Sequence, residues 1–161
     1  MPLTRFLLYS LALSIAAVAA HGQSSLVMRG AVKPPLGEVV AVTAQGVTVS
    51  PVGPPATGAK GTTAKAPVPV QTVISWDKVE SVTGPWAEKA EEFLPVAEKV
   101  WRARSRLERG DIVAAEPLFE DLFATLGNQR GPTSAVVASG LLRCRLGTGA
   151  QTAAVAPWLA Y

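Results

Sequence analysis

The hydrophobic period of the chain changes at Pro85, and this switch constrains the fold more than any other feature. Upstream, between residues 24 and 84, short runs rich in β-branched side chains are broken by Gly and Pro, the pattern of strands. Downstream, apolar residues recur at three- and four-residue spacings with charge between them, the pattern of amphipathic helices. An extended chain alternates its side chains across two faces, whereas a helix gathers every third or fourth on one. Both patterns in separate blocks predict an α+β fold, with a small β module at 24–84 and a helical region at 85–161.

Within the first block, Ser25–Gly30, Glu38–Thr43, Val47–Ser50, Val70–Trp76 and Val79–Gly84 read as strands. Pro34-Pro35-Leu36-Gly37 separates the first two, and Ala44-Gln45-Gly46 predicts a hairpin turn between the second and third. The two-residue period puts Val47 and Val49 on one face, with Thr48 and Ser50 on the other. Residues 51–67, PVGPPATGAKGTTAKAP, have no periodic apolar face and predict a mobile loop, with Lys60 and Lys65 its only charges. Short strands with tight turns, a long loop and a strand running into Trp76-Asp77-Lys78-Val79 resemble SH3-like barrels. That resemblance implies a small β-barrel or a strongly bent sheet.

In the second block Pro85 suits a first helical turn, where its missing N–H does no harm. Trp86, Ala90, Phe93 and Leu94 follow at helical spacings, and Pro95 should kink or restart the helix. A further run covers 96–109, with Val100, Trp101, Ala103 and Leu107 among Lys99 and several arginines. Gly110-Asp111 stops it, and Asp111 can cap the next run, 112–126. Gly127-Asn128 should close that run with left-handed residues. A fourth helix is expected from Thr133 or Ser134 to Leu146, and a fifth from near Ala150.

The spacing of Ala103, Gly110, Asp111, Ala115 and Phe119 resembles the helix–turn–helix of a tetratricopeptide repeat. The resemblance implies two antiparallel helices meeting at Gly110-Asp111. Ala103 and Ala115 would let the backbones approach, and Phe119 would plug the gap to the next helix. Arg106 stands where the family usually carries an aromatic, Leu122 where a small residue is usual, and the closing proline is absent unless Pro132 serves. A second partial copy follows, because Gly149 lies 39 residues after Gly110, and Ala154 and Trp158 repeat the offsets of Ala115 and Phe119. The family period is about 34 residues, so the 127–132 loop would carry the extra length.

Residues 1–20 read as a secretory signal peptide: Arg5 precedes an apolar stretch, and Ala17-Val18-Ala19 or Val18-Ala19-Ala20 offers small residues for cleavage near Ala19 or Ala20. The mature chain is therefore expected to be secreted or periplasmic. Loss of Arg5 leaves 14 basic against 12 acidic residues, too even a balance for a nucleic-acid surface.

One histidine, His21, and one cysteine, Cys144, leave no Ser-His-Asp or Cys-His arrangement and no thiolate zinc motif. Gly58–Thr63 lacks the spacing of a phosphate loop. Cys144, beside Leu141, Leu142 and Leu146, reads as a small buried apolar residue. Asp111, Glu116, Glu120 and Asp121 read as a solvated helix face, with Arg102, Arg104, Arg106, Arg109, Arg143 and Arg145 available to pair with them. No catalytic residue, cofactor or metal is expected.

Trp76 should cap the β core and Trp86 should mark the β-to-α junction, while Trp101 and Trp158 should fill inter-helix space. A tryptophan exposed in a groove would instead mark a binding hot spot. Trp101, Arg102, Arg106 and Arg109 are thus the candidate partner-binding residues. The leading expectation is a non-enzymatic scaffold or adaptor of the cell envelope with a protein or peptide partner. Its rivals are an enzyme or accessory subunit using acidic residues, and a structural component that self-associates through the apolar end at Trp158–Tyr161.

Overall fold

The computed structural model describes residues 24–30, 32–51 and 70–161. The expected leader, His21 and all of the 51–67 loop but Pro51 lie outside the described residues. The fold is mixed α+β. Strands β1 (Leu26–Met28), β2 (Glu38–Thr43), β3 (Gly46–Ser50), β4 (Thr72–Ile74) and β5 (Val79–Val82) precede helices α1 (Ala87–Glu91), α2 (Leu94–Glu108), α3 (Ile112–Leu126), α4 (Pro132–Gly147) and α5 (Gln151–Ala160).

The strands form two small open antiparallel sheets, β1–β5 and β2–β3–β4, and no barrel closes among the described residues. The Ala44-Gln45 turn joins β2 and β3, with Val42 opposite Val47 and a register shift between Val39 and Ala41. β3 is the central strand of its sheet, and Thr48 is buried together with Val47 and Val49. One hydrophobic cluster gathers Val39, Val42, Val47, Ile74, Trp76, Val79 and Ala97, with Phe93 and Leu94 packed against it. Trp76 is wholly buried there, stacked on Phe93 at 5.6 Å between ring centroids. Its indole N–H donates to the Thr43 carbonyl at 2.9 Å.

Pro85 lies in a 3₁₀ turn, Gly84–Trp86, that leads into the single turn of α1. Pro95 stands at the start of α2, where it restarts the helix rather than kinking it. The inner stripe of α2 is Ala97, Val100, Ala103 and Leu107; Ala97 belongs to the β-side cluster, and the other three to a second cluster with Phe119, Leu126, Leu141 and Cys144. Gly127 ends α3 in right-handed helical geometry, φ −60°, so the expected left-handed closure there is not used. Its N–H simply continues the helix to the Phe123 carbonyl at 2.8 Å.

The helices pair as two hairpins, α2–α3 and α4–α5, whose corners repeat bond for bond at an offset of 39 residues. Gly110 (φ +81°) and Gly149 (φ +77°) turn left-handed, a backbone region a side chain would strain. Around them Asp111 N donates to Arg106 O at 2.9 Å and Ala150 N to Arg145 O at 2.8 Å. Gly110 N reaches Leu107 O at 3.0 Å, and Gly149 N reaches Leu146 O at 3.2 Å, both in the Schellman pattern that satisfies the last carbonyls of a helix. The correspondence extends to side chains. The Arg106 guanidinium donates to Ala114 O at 3.3 Å, and that of Arg145 to Ala153 O at 2.6 Å.

Polar contacts tie the β2–β3 turn to the helices. The buried Thr133 hydroxyl donates to Gln45 O at 2.7 Å and accepts from Trp76 N at 3.1 Å. Gln45 Oε1 accepts from Ser134 N at 3.0 Å, and its Nε2 donates to Gln129 Oε1 at 3.0 Å. Among the described residues no helix is long and apolar enough to cross a membrane.

Candidate functional site

The stripe of α2 flanking its buried face carries Trp101, Ser105 and Glu108, spaced four and three residues apart and therefore aligned along the helix. β1 ends alongside this stripe. Between them runs an open groove of about 410 Å³ lined by Arg29, Val32, Lys78, Trp101, Arg104 and Glu108 among others. A second hollow of about 300 Å³ continues it past Trp101 to Arg102 and Arg109. Both lie in the size range of sites that receive a small ligand or a short peptide segment.

Trp101 is 39% exposed and does not fill inter-helix space. The cause is angular: it follows Val100 by one residue, which turns it about 100° off the buried stripe. Arg29 covers part of the ring, its guanidinium carbon 4.9 Å from the centroid, a cation–π contact. The same guanidinium donates through Nε to Val79 O at 2.9 Å and pairs with Glu98 at 3.0 Å. Glu98 also holds Arg102, one helical turn along, at 3.2 Å. The indole thus lies in a frame held by several polar contacts, which lowers the ordering cost of binding against it.

At the other wall, the Asp77 carboxylate is fully buried, accepting from the Ser75 hydroxyl and from the Arg104 guanidinium. Arg104 also pairs with Glu108 at 2.7 Å. Hydrogen bonds to Asp77 first, and to Glu108 second, raise the Arg104 pKa above its already high ordinary value, so it is a permanent cation. Lys78 and Arg109 have no ion-pair partner among the described residues. The groove therefore sets five cations, Arg29, Lys78, Arg102, Arg104 and Arg109, against three carboxylates, Asp77, Glu98 and Glu108.

Of the four candidate partner-binding residues, Trp101, Arg102 and Arg109 come together here. Arg106 does not. It turns to the α2–α3 corner and satisfies the Ala114 carbonyl, so its work is local. Arg29 and Lys78 were not legible as partners of α2, because the strand and turn that carry them reach it only through the tertiary fold. Of the residues chosen for repeat spacing, Ala103, Ala115 and Phe119 are buried where α2 and α3 meet. Asp111 caps α3 by accepting from Ala114 N at 3.3 Å. Ala154 is buried, but Trp158 is 63% exposed and also fails to fill inter-helix space, because no helix among the described residues covers that side of α5.

The acidic residues of α3 are dispersed among structural contacts: Glu120 pairs with Arg145 at 3.1 Å and Asp121 with Lys99. Among the described residues no group of three His, Cys, Asp or Glu side chains could hold a metal ion. What the α2 groove offers chemically is an aromatic platform in a cationic frame. These features define an α+β chain with a helical-hairpin array and one aromatic, net-cationic groove. Compared with protein-family models, curated proteins and solved structures, the chain matches none of them.

Proposed function

We propose that this protein is an exported, non-enzymatic interaction module of the cell envelope that binds a protein segment along the outer face of α2. The observation that carries the reading is Trp101: a large aromatic surface half open to solvent, yet held in one orientation by Arg29. Tryptophan and arginine are enriched among the few residues that carry most of the binding energy of protein interfaces. The excess of cations along the groove favours a partner segment with acidic residues flanking an apolar anchor. The finer classes belong to the same proposal. The repeated hairpin corners support a tetratricopeptide-like array in α2–α5, and the strands suit an open, bent relative of SH3-like architecture. Export rests on the leader's Arg5, its apolar stretch and its small residues before His21.

A display library of short peptides, selected on the full mature protein, tests the reading. Binders should carry acidic residues around an apolar anchor and weaken with added salt. Trp101→Ala should weaken them about tenfold or more, and Arg102→Glu with Arg109→Glu should abolish the acidic preference. Selection that returns no binders, or binders indifferent to Trp101→Ala, ends this reading.

A further inference from the structure

The 39-residue correspondence between the two hairpins bears on a groove that the described residues leave open. In the first hairpin, Leu107, Ala115 and Phe119 are buried beneath α4. Their counterparts 39 residues later are Leu146, Ala154 and Trp158. Together with Leu142, Gln151 and Val155 these line a groove of about 240 Å³ between α4 and α5. Phe119 is 1% exposed, whereas Trp158 is 63% exposed and Leu146 and Val155 are exposed beside it. The equivalent hairpin surface therefore occurs twice, covered by α4 once and, among the described residues, bare once.

The covering helix also shows what fits. α4 runs antiparallel to α3 and meets it through small residues. A methyl group at Gly140 would come within 2.3 Å of Phe119 Cε1, and one at Gly147 within 2.7 Å of Ile112 Cδ1. Cys144, small and buried, lies between them in sequence. The stripe i, i+4, i+7 keeps one helix face low enough for the aromatic ring to lie against the backbone. Trp158 and Gln151 stand where Phe119 and Ile112 stand, and the larger indole asks for the same low face.

We propose that the α4–α5 groove docks a helix of another protein, antiparallel to α5, with small residues at i, i+4 and i+7, the first opposite Trp158. A second copy of this chain does not fit. Its own α4 has Gly140 and Cys144 buried in its core. The small flank of α5, Ala153, Ala156 and Ala160, lies about half a turn from Trp158. Pairing through that flank would be head-to-tail and open-ended rather than closed. This site is separate from the α2 groove, and either can fail without the other.

The probe is a labelled synthetic peptide with the sequence of α4, Pro132–Gly147, carrying Cys144→Ala and held helical by a side-chain lactam on its outer face. Fluorescence anisotropy against the full mature protein should show saturable binding. Trp158→Ala should weaken it about tenfold or more, and so should a peptide with Gly140→Leu and Gly147→Leu. Val113→Ala, on the exposed side of α3, should leave binding unchanged. Circular dichroism melting checks that Trp158→Ala stays folded. Absence of binding, equal binding of the leucine peptide, or indifference to Trp158→Ala overturns the proposal. So does sedimentation showing that the protein self-associates and that Trp158→Ala abolishes it, because the groove then belongs to a second copy.

Discussion

Cys144 illustrates how a single residue takes its chemistry from its surroundings. It lies on the inner face of α4, fully buried against Leu141 and the α2–α3 pair. Burial is the main cause that pushes its thiol from the ordinary 9.0 up to about 11, with the nearby Glu116 carboxylate acting in the same direction. Between those two values the folded protein keeps a proton that the unfolded chain has lost. Folded stability conferred by the protonated thiol is therefore complete below pH 9.0 and declines as pH rises toward about 11. Urea denaturation of the wild type and of Cys144→Ala should show their stability difference shifting against the wild type across that window. A flat difference would mean that the thiol is in contact with solvent. The identity of Cys144 as a small apolar packing residue was legible from Leu141 and its neighbours. That Leu146 points outward was not, because its burial depends on whether another helix packs over it, which neighbouring residues do not record.

At the scale of elements, boundaries follow from interactions between residues a few positions apart. α3 begins and ends at Ile112 and Leu126, the limits its spacing predicts. Asp111 supplies the acceptor for the new first turn, and Gly110 supplies the left-handed corner that ends α2. Asp111→Ala should cost about 1 kcal/mol of stability in chemical denaturation, the usual loss of an N-cap acceptor. At the equivalent corner Ala150 makes no side-chain cap, so Ala150→Asp should recover a comparable amount for α5. If neither change moves the denaturation midpoint, the corners are held by packing alone. The same locality explains the strands. β2 occupies Glu38–Thr43 as read from its β-branched run, and the hairpin falls at Ala44-Gln45. That the Thr48 face of β3 is buried like the Val47 face is not recorded in the two-residue period, because what packs on a strand's faces comes from elsewhere in the fold.

For the whole molecule, the boundary at Pro85 divides secondary structure but not the core. The first turns of α2 carry Ala97 into the β-side cluster, and the rest of its inner stripe carries Val100, Ala103 and Leu107 into the helical one. Thr133 joins Gln45 O to Trp76 N from the start of α4, and Asp77 joins the turn after β4 to Arg104. Unfolding followed by tryptophan fluorescence, dominated on the β side by the buried Trp76, should coincide with unfolding followed by helical circular dichroism. Two separated transitions would mean that the β module and the helices are independent domains. The amino-acid order alone determined the α+β class, the spans of β2 and α3, the Gly110-Asp111 corner and the buried alanines, since each depends on neighbours within about a turn; β1 and β4 are shorter than their β-rich runs, and Trp76 leaves the strand for a 3₁₀ turn. Only the tertiary structure decided which tryptophans are buried. Trp76 vanishes under Phe93, Trp101 meets Arg29, and Trp158 stays bare, because burial depends on what arrives from distant parts of the chain, and no local pattern records that.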